Sequence, residues 1–521
     1  MLLLDRPEHA YPARLNCVAA LLDARVAAGH GARPCFHDAT TTWSYAETAA
    51  MVDRLAHVLV RVHGLVPGAR VLLHGFNGPL LAACYLAIMK AGAVTVATMP
   101  LLRASELQAI VTKAQPSVAL CDVRLVTVVR EAIAGAAASM ALVTLDGLRE
   151  ASEGMTGAFT PCDTASDDVC LLGFTSGTTG APKATMHFHR DVLAVVHAYG
   201  AQVLRLVADD VVIGSPPLAF TFGLGGLVLF PLAAGASSVL LEKAPPDELL
   251  PAIARHRATV TFTAPAAYRA MLPKLAQHDV SSLRRCVSAG ETLSAATFEA
   301  WRAATGIPIM DGIGATELLH IFIGSPAEDA RAGVTGRVVP GYEARVVDEA
   351  GAECARGTAG LLEVRGPTGC RYLDDPRQRD YVREGWNRTG DSFIHDVDGT
   401  FRYQARADDM ITAAGYNIAG PEVEGALLTH EAVAECAVVG AVGDDRTMVV
   451  AAYVVLRAGH DAGEAMTLAL QAHVRDRLAP FKAPRLVAFV PELPKTSTGK
   501  VQRAVLRERA RALRSGAVSS A

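Results

Sequence analysis

An excess of charge of either sign is missing from this chain. Its 49 basic and 53 acidic residues leave a net charge of −4 over 521 residues, with no long run of one sign. The electrostatic footprint of a nucleic-acid binder or a membrane-surface protein is thereby excluded, and small molecules are the expected partners. Paired-cysteine motifs are missing too. The ten cysteines show neither C-x-x-C nor metal-ligand spacing, and Cys84, Cys170, Cys286 and Cys436 sit in apolar surroundings, so they read as reduced core residues of a cytoplasmic protein. No internal repeat or low-complexity tract appears apart from a small-residue tail after Arg514, which excludes a repeat array. The start, Met1-Leu2-Leu3-Leu4-Asp5-Arg6, meets charge after three leucines, too early for a secretory leader. Residues 211–241 hold no Asp, Glu, Lys, Arg or His, but Pro216, Pro217, Pro231 and five glycines interrupt them. They read as a strand, a buried helix over 222–232 and another strand, not as a membrane span.

What is present is alternation. Short β-branched runs at 71–73, 94–97, 118–121 and 142–145 are separated by helical patterns at 80–90 and 105–114. The rhythm resumes at 211–214, 238–241, 247–256, 260–263 and 285–288, and it predicts parallel sheets covered by helices. After Gly333 the texture changes to short strands (334–347, 361–365, 401–403) between Gly/Pro turns. The expected architecture is α/β: a large N-terminal domain, residues 1–405, of helix-covered sheets with a β-rich subdomain, a hinge at 406–409, and a small mobile α+β domain over 410–521. In the last, 421–430 and 464–478 read as helices and 433–442, 448–456 and 486–490 as strands.

The densest chemical signal is Phe174-Thr175-Ser176-Gly177-Thr178-Thr179-Gly180-Ala181-Pro182-Lys183. Glycine lets backbone approach an anion, hydroxyls and N–H groups donate to phosphate oxygens, and Lys183 adds a point charge, a cradle suited to the polyphosphate of ATP. The apolar run 169–174 reads as a buried strand feeding the loop, with a helix starting at His189. Neither this loop nor Thr498-Gly499-Lys500 has the Gly-Lys-Ser/Thr ending of a Walker A loop.

Further motifs follow in order: Ser288-Ala289-Gly290-Glu291, Asp311-Gly312-Ile313-Gly314-Ala315-Thr316-Glu317, Gly385-Trp386-Asn387-Arg388-Thr389-Gly390-Asp391, Arg406-Ala407-Asp408-Asp409, Gly415-Tyr416-Asn417 and Pro494-Lys495-Thr496-Ser497-Thr498-Gly499-Lys500. Together with the loop they resemble the adenylate-forming enzymes, the superfamily of acyl- and aryl-CoA synthetases, peptide-synthetase adenylation domains and luciferases. The resemblance spans residues 174–503 and implies ATP, Mg²⁺ and CoA as cofactor and cosubstrates. It places Thr175, Ser176, Gly177, Thr178, Thr179 and Lys183 on the phosphates, Ala289, Gly290 and Glu291 on the adenine face, and Asp311 with Gly312 near the adenine amino group. Asp391 is then the ribose acceptor, with Arg406 beside it. Thr316 and Glu317 stand at the metal, Glu317 as the Mg²⁺ ligand. Lys500 becomes the catalytic lysine reaching carboxylate and α-phosphate together. Asp408 matches the hinge, Gly415 the wall beside the pantetheine arm, and Phe481 and Arg485 the CoA contacts.

The acid pocket narrows the substrate. Gly314 stands where an acetate-activating relative has a bulky Trp, which leaves room for a ring. Phe220-Thr221-Phe222 and Leu319-His320-Ile321 look like pocket segments of benzoate-type CoA ligases, with Phe222, Leu319 and Ile321 supplying flat apolar walls and His320 a polar contact for an ortho substituent. The resemblance is strongest to benzoate- and 2-aminobenzoate (anthranilate)-CoA ligases. It implies a soluble monomer or homodimer with an aromatic acid as substrate and a downstream acyl-CoA-using enzyme or carrier protein as partner. Two other readings stand beside it: an aryl-adenylating enzyme that loads a carrier protein, and a catalytically silent relative. Retention of Lys183, Glu317, Asp391 and Lys500 together speaks against the second.

Overall fold

A computed structural model describes residues 10–175, 182–413, 416–442, 448–496 and 500–512. The β-branched runs Val94–Thr98, Val118–Cys121 and Val260–Thr263 are strands buried at every position. Burial on both faces is what parallel strands under helices require.

Two sheets form the larger part. The first has six strands in the order Ala141–Thr144, Val118–Cys121, Arg70–His74, Val94–Thr98, Val169–Thr175 and Lys183–Phe188, parallel except for the last pair. The second has nine: Arg337–Val338, Ile321–Gly324, Ile309–Gly314, Arg285–Ala289, Val260–Thr263, Val211–Gly214, Ser237–Val239, Pro34–His37 and Thr42–Ser44. Its five central pairings are parallel, running from the pair of Arg285–Ala289 with Ile309–Gly314 to that of Pro34–His37 with Ser237–Val239. Strands from both sheets share one apolar core with the helix Pro79–Lys90, of which only Leu80 is not buried. A helix apolar on every side belongs between layers. Its last residue, Lys90, is buried and answered by Asp23 at 2.8 Å and Asp53 at 2.5 Å, without which a charge would be stranded in the core.

A third, antiparallel sheet joins Glu343–Val347, Ala359–Arg365, Trp386–His395, Val382–Arg383 and Phe401–Arg406. The chain then passes through the short turn Ala407–Asp409 into a unit with its own two cores. There Val433–Val442, Met448–Leu456 and Leu486–Phe489 form a sheet flanked by the helices Gly420–Leu427, Glu464–Arg475 and Arg503–Ala512.

Two expectations need correction. The phosphate-loop run does not pass straight into a helix. Lys183–Phe188 is an antiparallel strand, paired with Val169–Thr175 in a hairpin from Thr175↔Lys183 to Val169↔Phe188, and the helix His189–Val195 follows it. The alternation Lys183-Ala184-Thr185-Met186-His187-Phe188 has the strand period, but over only six residues. The single strand expected at 334–347 is instead two strands in different sheets, because Pro340 and then Gly341 (φ 94°) turn the chain between them. Residues 211–241 do form strand, helical segment and strand inside the second sheet, and no helix among the described residues is long and apolar enough to cross a membrane.

Candidate active site

The motifs gather where parallel strands end. Arg285–Ala289 delivers Gly290 and Glu291, Ile309–Gly314 delivers Thr316 and Glu317, and Val169–Thr175 delivers the Ser/Thr/Gly run. Carboxyl ends of parallel strands are where open α/β sheets leave a crevice for ligands. The two sheets touch at this rim. A Cβ on Gly173 would lie 2.6 Å from Thr316 Cγ2, so only glycine lets the hairpin and the Thr316–Glu317 turn meet.

Tyr372 links the parts. Its backbone sits against the hairpin through a bridge to Thr185, flanked by Met186 N–H to Arg371 O at 2.7 Å and Leu373 N–H to Ala184 O at 2.8 Å. Its hydroxyl donates to Glu317 Oε1 at 2.7 Å, and Lys183 Nζ stands 5.2 Å from its ring centre. A buried carboxylate, a phenol and an ammonium are thus assembled from three distant stretches. Glu317 fits the requirement of Mg²⁺, which takes one or two carboxylates plus phosphate and water oxygens.

Asp391 lies within the strand Trp386–His395 instead of in an isolated turn. Its backbone N–H donates to Thr389 Oγ1 at 3.2 Å, and Arg406 Nη1 donates to Asp391 Oδ1 at 3.2 Å and to Thr389 O at 2.9 Å. Gly390 has φ 76°, and a Cβ there would fall 2.7 Å from Arg406 Nη2, so this corner also needs glycine. Across the site, a Cβ on Gly290 would be 3.9 Å from Lys500 Cε. Burial holds the Glu291 carboxyl above its ordinary range, against the pull of Arg269, Lys500 and Lys495. Asp311 is pushed further up by burial, and its Oδ1 has no hydrogen-bond partner among the described residues. Ala289 and Gly312 are buried beside them.

Between the sheets runs a narrow cleft bordered by Tyr85, Gly173, Phe220, Thr221, Leu224 and Thr316. Behind it lies His320, 2% exposed, in a cage of Phe230 (ring centres 4.6 Å apart), Tyr199 (5.3 Å) and Phe222 (5.9 Å). Neither imidazole nitrogen meets a partner at hydrogen-bonding distance among the described residues. Burial drives its pKa down to about 3, with the Phe222 backbone pulling weakly the other way, so the ring is neutral at physiological pH. Leu319 is buried and held at φ 69°, a conformation that branched side chains avoid and that clusters at functional sites. Ile321 is buried beside it and packs toward Gly312. Gly314 has a reason other than leaving room for a ring: a Cβ there would sit 2.7 Å from the His320 carbonyl oxygen, so the hairpin backbone itself excludes a side chain.

Phe481 and Arg485 lie on the C-terminal unit, where Lys482 Nζ is 5.9 Å from the Phe481 ring and Arg485 N–H donates to Val450 O at 2.9 Å. Ser176, Gly177, Thr178, Thr179 and Gly415 fall outside the described residues. Sequence reading missed Tyr372, which no spacing links to Glu317, and Tyr199, whose buried hydroxyl has no hydrogen-bond partner among the described residues.

The model of the AMP-binding enzymes matches residues 23–371, and that of the AMP-binding enzyme C-terminal domain matches residues 422–500. The chain belongs to the AMP-binding enzyme family. Among its relatives is the benzoate–CoA ligase of Thauera aromatica, 36% identical over 96% of this chain and 97% of that one. The anthranilate–CoA ligase of Pseudomonas aeruginosa is 33% identical over 85% of this chain and 87% of its own length. The crystal structure of the anthranilate CoA ligase AuaEII in complex with anthranoyl-AMP superposes with a TM-score of 0.94 at 31% identity, covering 98% of this chain and 100% of that one.

In an AMP-binding enzyme built this way, Tyr372→Phe keeps the ring against Lys183 and removes only the hydroxyl that holds Glu317. A hydrogen bond to a charged group is worth about 1.5–3 kcal/mol, so kcat/KM for MgATP in pyrophosphate release should fall about tenfold or more while thermal stability changes little. An unchanged kcat/KM would mean that Tyr372 does not position Glu317.

Proposed function

We propose that this chain is an aryl-CoA ligase. It attaches an aromatic carboxylate to the α-phosphate of ATP with release of pyrophosphate, then transfers the aryl group from the aryl-adenylate to the thiol of CoA with release of AMP. The reading rests above all on Lys500 standing over Gly290, where a Cβ would be 3.9 Å from its Cε, with its charge acting on Glu291. The relatives that act on benzoate and anthranilate support it.

Two anions must meet in the first step, so cations decide its rate. Lys183 holds the departing pyrophosphate, and Lys500 bridges the attacking carboxylate and the α-phosphate as charge shifts between them. Glu317, oriented by Tyr372, would hold the Mg²⁺, whose charge would offset that of the phosphates. Asp391 accepts from the ribose hydroxyls, and Arg406, 3.2 Å away, holds it in place. In the second step the C-terminal unit turns about Asp408, Lys500 leaves, and Gly415 forms a side-chain-free wall along which the pantetheine arm brings its thiol. Phe481 and Arg485 contact CoA.

The acid lies flat between Phe222, Leu319 and Ile321. Being neutral, His320 offers an ortho substituent a hydrogen bond without a charge, and it draws the amino group of 2-aminobenzoate into the aromatic cage.

Lys500→Ala should separate the half-reactions. Losing one contact made to developing charge is worth about 3 kcal/mol, so adenylation should slow by about a hundredfold, while thioester formation from supplied aryl-adenylate and CoA should hold its rate. Equal loss in both would refute separate roles.

Substrate choice is tested by kcat/KM for 2-aminobenzoate, benzoate, 2-hydroxybenzoate, acetate and a long-chain acid, each with and without CoA. The aryl acids should lead, 2-aminobenzoate first and benzoate second. One neutral hydrogen bond is worth about 0.5–1.5 kcal/mol, so the preference between those two should reach at most roughly tenfold and vanish in His320→Ala. A best substrate outside the aryl acids overturns the reading. Turnover that stops after one pyrophosphate in the presence of CoA would point to a carrier-protein thiol instead.

A further inference from the structure

Away from the nucleotide site, three soft donors meet in the core. Cys17, in the N-terminal helical segment, Cys170, near the start of the strand Val169–Thr175, and His189, at the head of the helix His189–Val195, bring donor atoms within 4.8 Å of one another. All three are fully buried, at 0% exposure. His189 Nδ1 is 3.1 Å from Cys17 Sγ and 3.2 Å from the Cys17 backbone nitrogen, and Nε2 meets no hydrogen-bond partner among the described residues. Leaving a buried polar nitrogen unpaired is unfavourable, and cavity filling alone calls for an apolar side chain there.

Bonds of about 2.3 Å to sulfur and about 2.0 Å to imidazole nitrogen hold the ligands of one ion roughly 3.5–4.6 Å apart, according to the angle between them. The cluster therefore needs little adjustment to take an ion. Two thiolates and an imidazole select soft cations. Zn²⁺ wants a fourth ligand, and a site sealed from solvent supplies three donors.

We propose that Cys17, Cys170 and one imidazole nitrogen of His189 form a buried three-coordinate site for a soft monovalent cation, with Cu(I) the ion it fits. Each thiol that binds as thiolate gives up its proton to solvent, so loading releases protons. The ion ties the N-terminal segment to the base of the hairpin that presents Thr175 and Lys183, adding metal bonds to the hydrogen bonds that already join these stretches.

The test uses the reduced full chain, kept anaerobic and titrated with Cu(I) against a competing chelator. One Cu(I) per chain should be retained, X-ray absorption should report two sulfurs and one nitrogen around it, and the loaded protein should melt at a higher temperature. Zn²⁺ should be stripped under the same competition. Cys17→Ser and Cys170→Ser should each weaken retention at least a hundredfold, whereas Cys286→Ser, buried in a separate core, should leave it unchanged. Equal retention in Cys17→Ser, or a shell without two sulfurs in the unmodified protein, overturns the assignment. The X-ray absorption result decides it even where a serine variant fails to fold.

Discussion

The site depends on one contact, Gly173 against Thr316. A parallel strand of the first sheet ends at the phosphate loop, and one of the second ends at the Thr316–Glu317 turn. The two rims close on each other because Gly173 has no side chain where a Cβ would meet Thr316 Cγ2 at 2.6 Å. Lys183 and Glu317 lie more than a hundred residues apart in the chain. The closure puts them on either side of Tyr372, whose backbone is fixed on the hairpin and whose hydroxyl is fixed on the carboxylate.

Around that contact, burial and charge are set against each other. Glu291 and Asp311 are carboxyls that burial pushes up, and Asp391 is a carboxylate answered by Arg406 at 3.2 Å. The two lysines belong to different parts of the fold, Lys183 to the hairpin and Lys500 to the C-terminal unit. Electrostatic interactions are strongest where water is excluded, which favours delivering the second cation on a separate unit instead of burying it for good. The interior behind obeys the opposite rule, for His320 is so fully enclosed by aromatic rings that burial keeps it uncharged.

Much of this was legible in the chain. Strands betray themselves by short β-branched runs, and the parallel strands Val118–Cys121, Val211–Gly214 and Val260–Thr263, like the antiparallel pair Val433–Val442 and Met448–Leu456, fall where those runs do. The family was readable because its motifs, from the glycine, hydroxyl and lysine run onward, stand in the chain in the family's order. Relations between distant stretches were not readable. Tyr372 sits in a segment without motif character, and its partner is 55 residues away. Cys17, Cys170 and His189 show no ligand spacing because tertiary packing alone unites them. Gly314 looked like a matter of substrate size, whereas the carbonyl of His320 approaches too closely for any side chain. The strained backbone of Leu319 leaves no trace in composition.

The proposed reaction turns on the aryl-adenylate. Aromatic acid labelled with ¹⁸O in both carboxylate oxygens, supplied with ATP, Mg²⁺ and CoA, should transfer one label to the AMP released, because the carboxylate oxygen that attacks the α-phosphorus stays with it when the thioester forms. Mass spectrometry of the AMP reads this directly. Label in orthophosphate with formation of ADP, or unlabelled AMP, would contradict it.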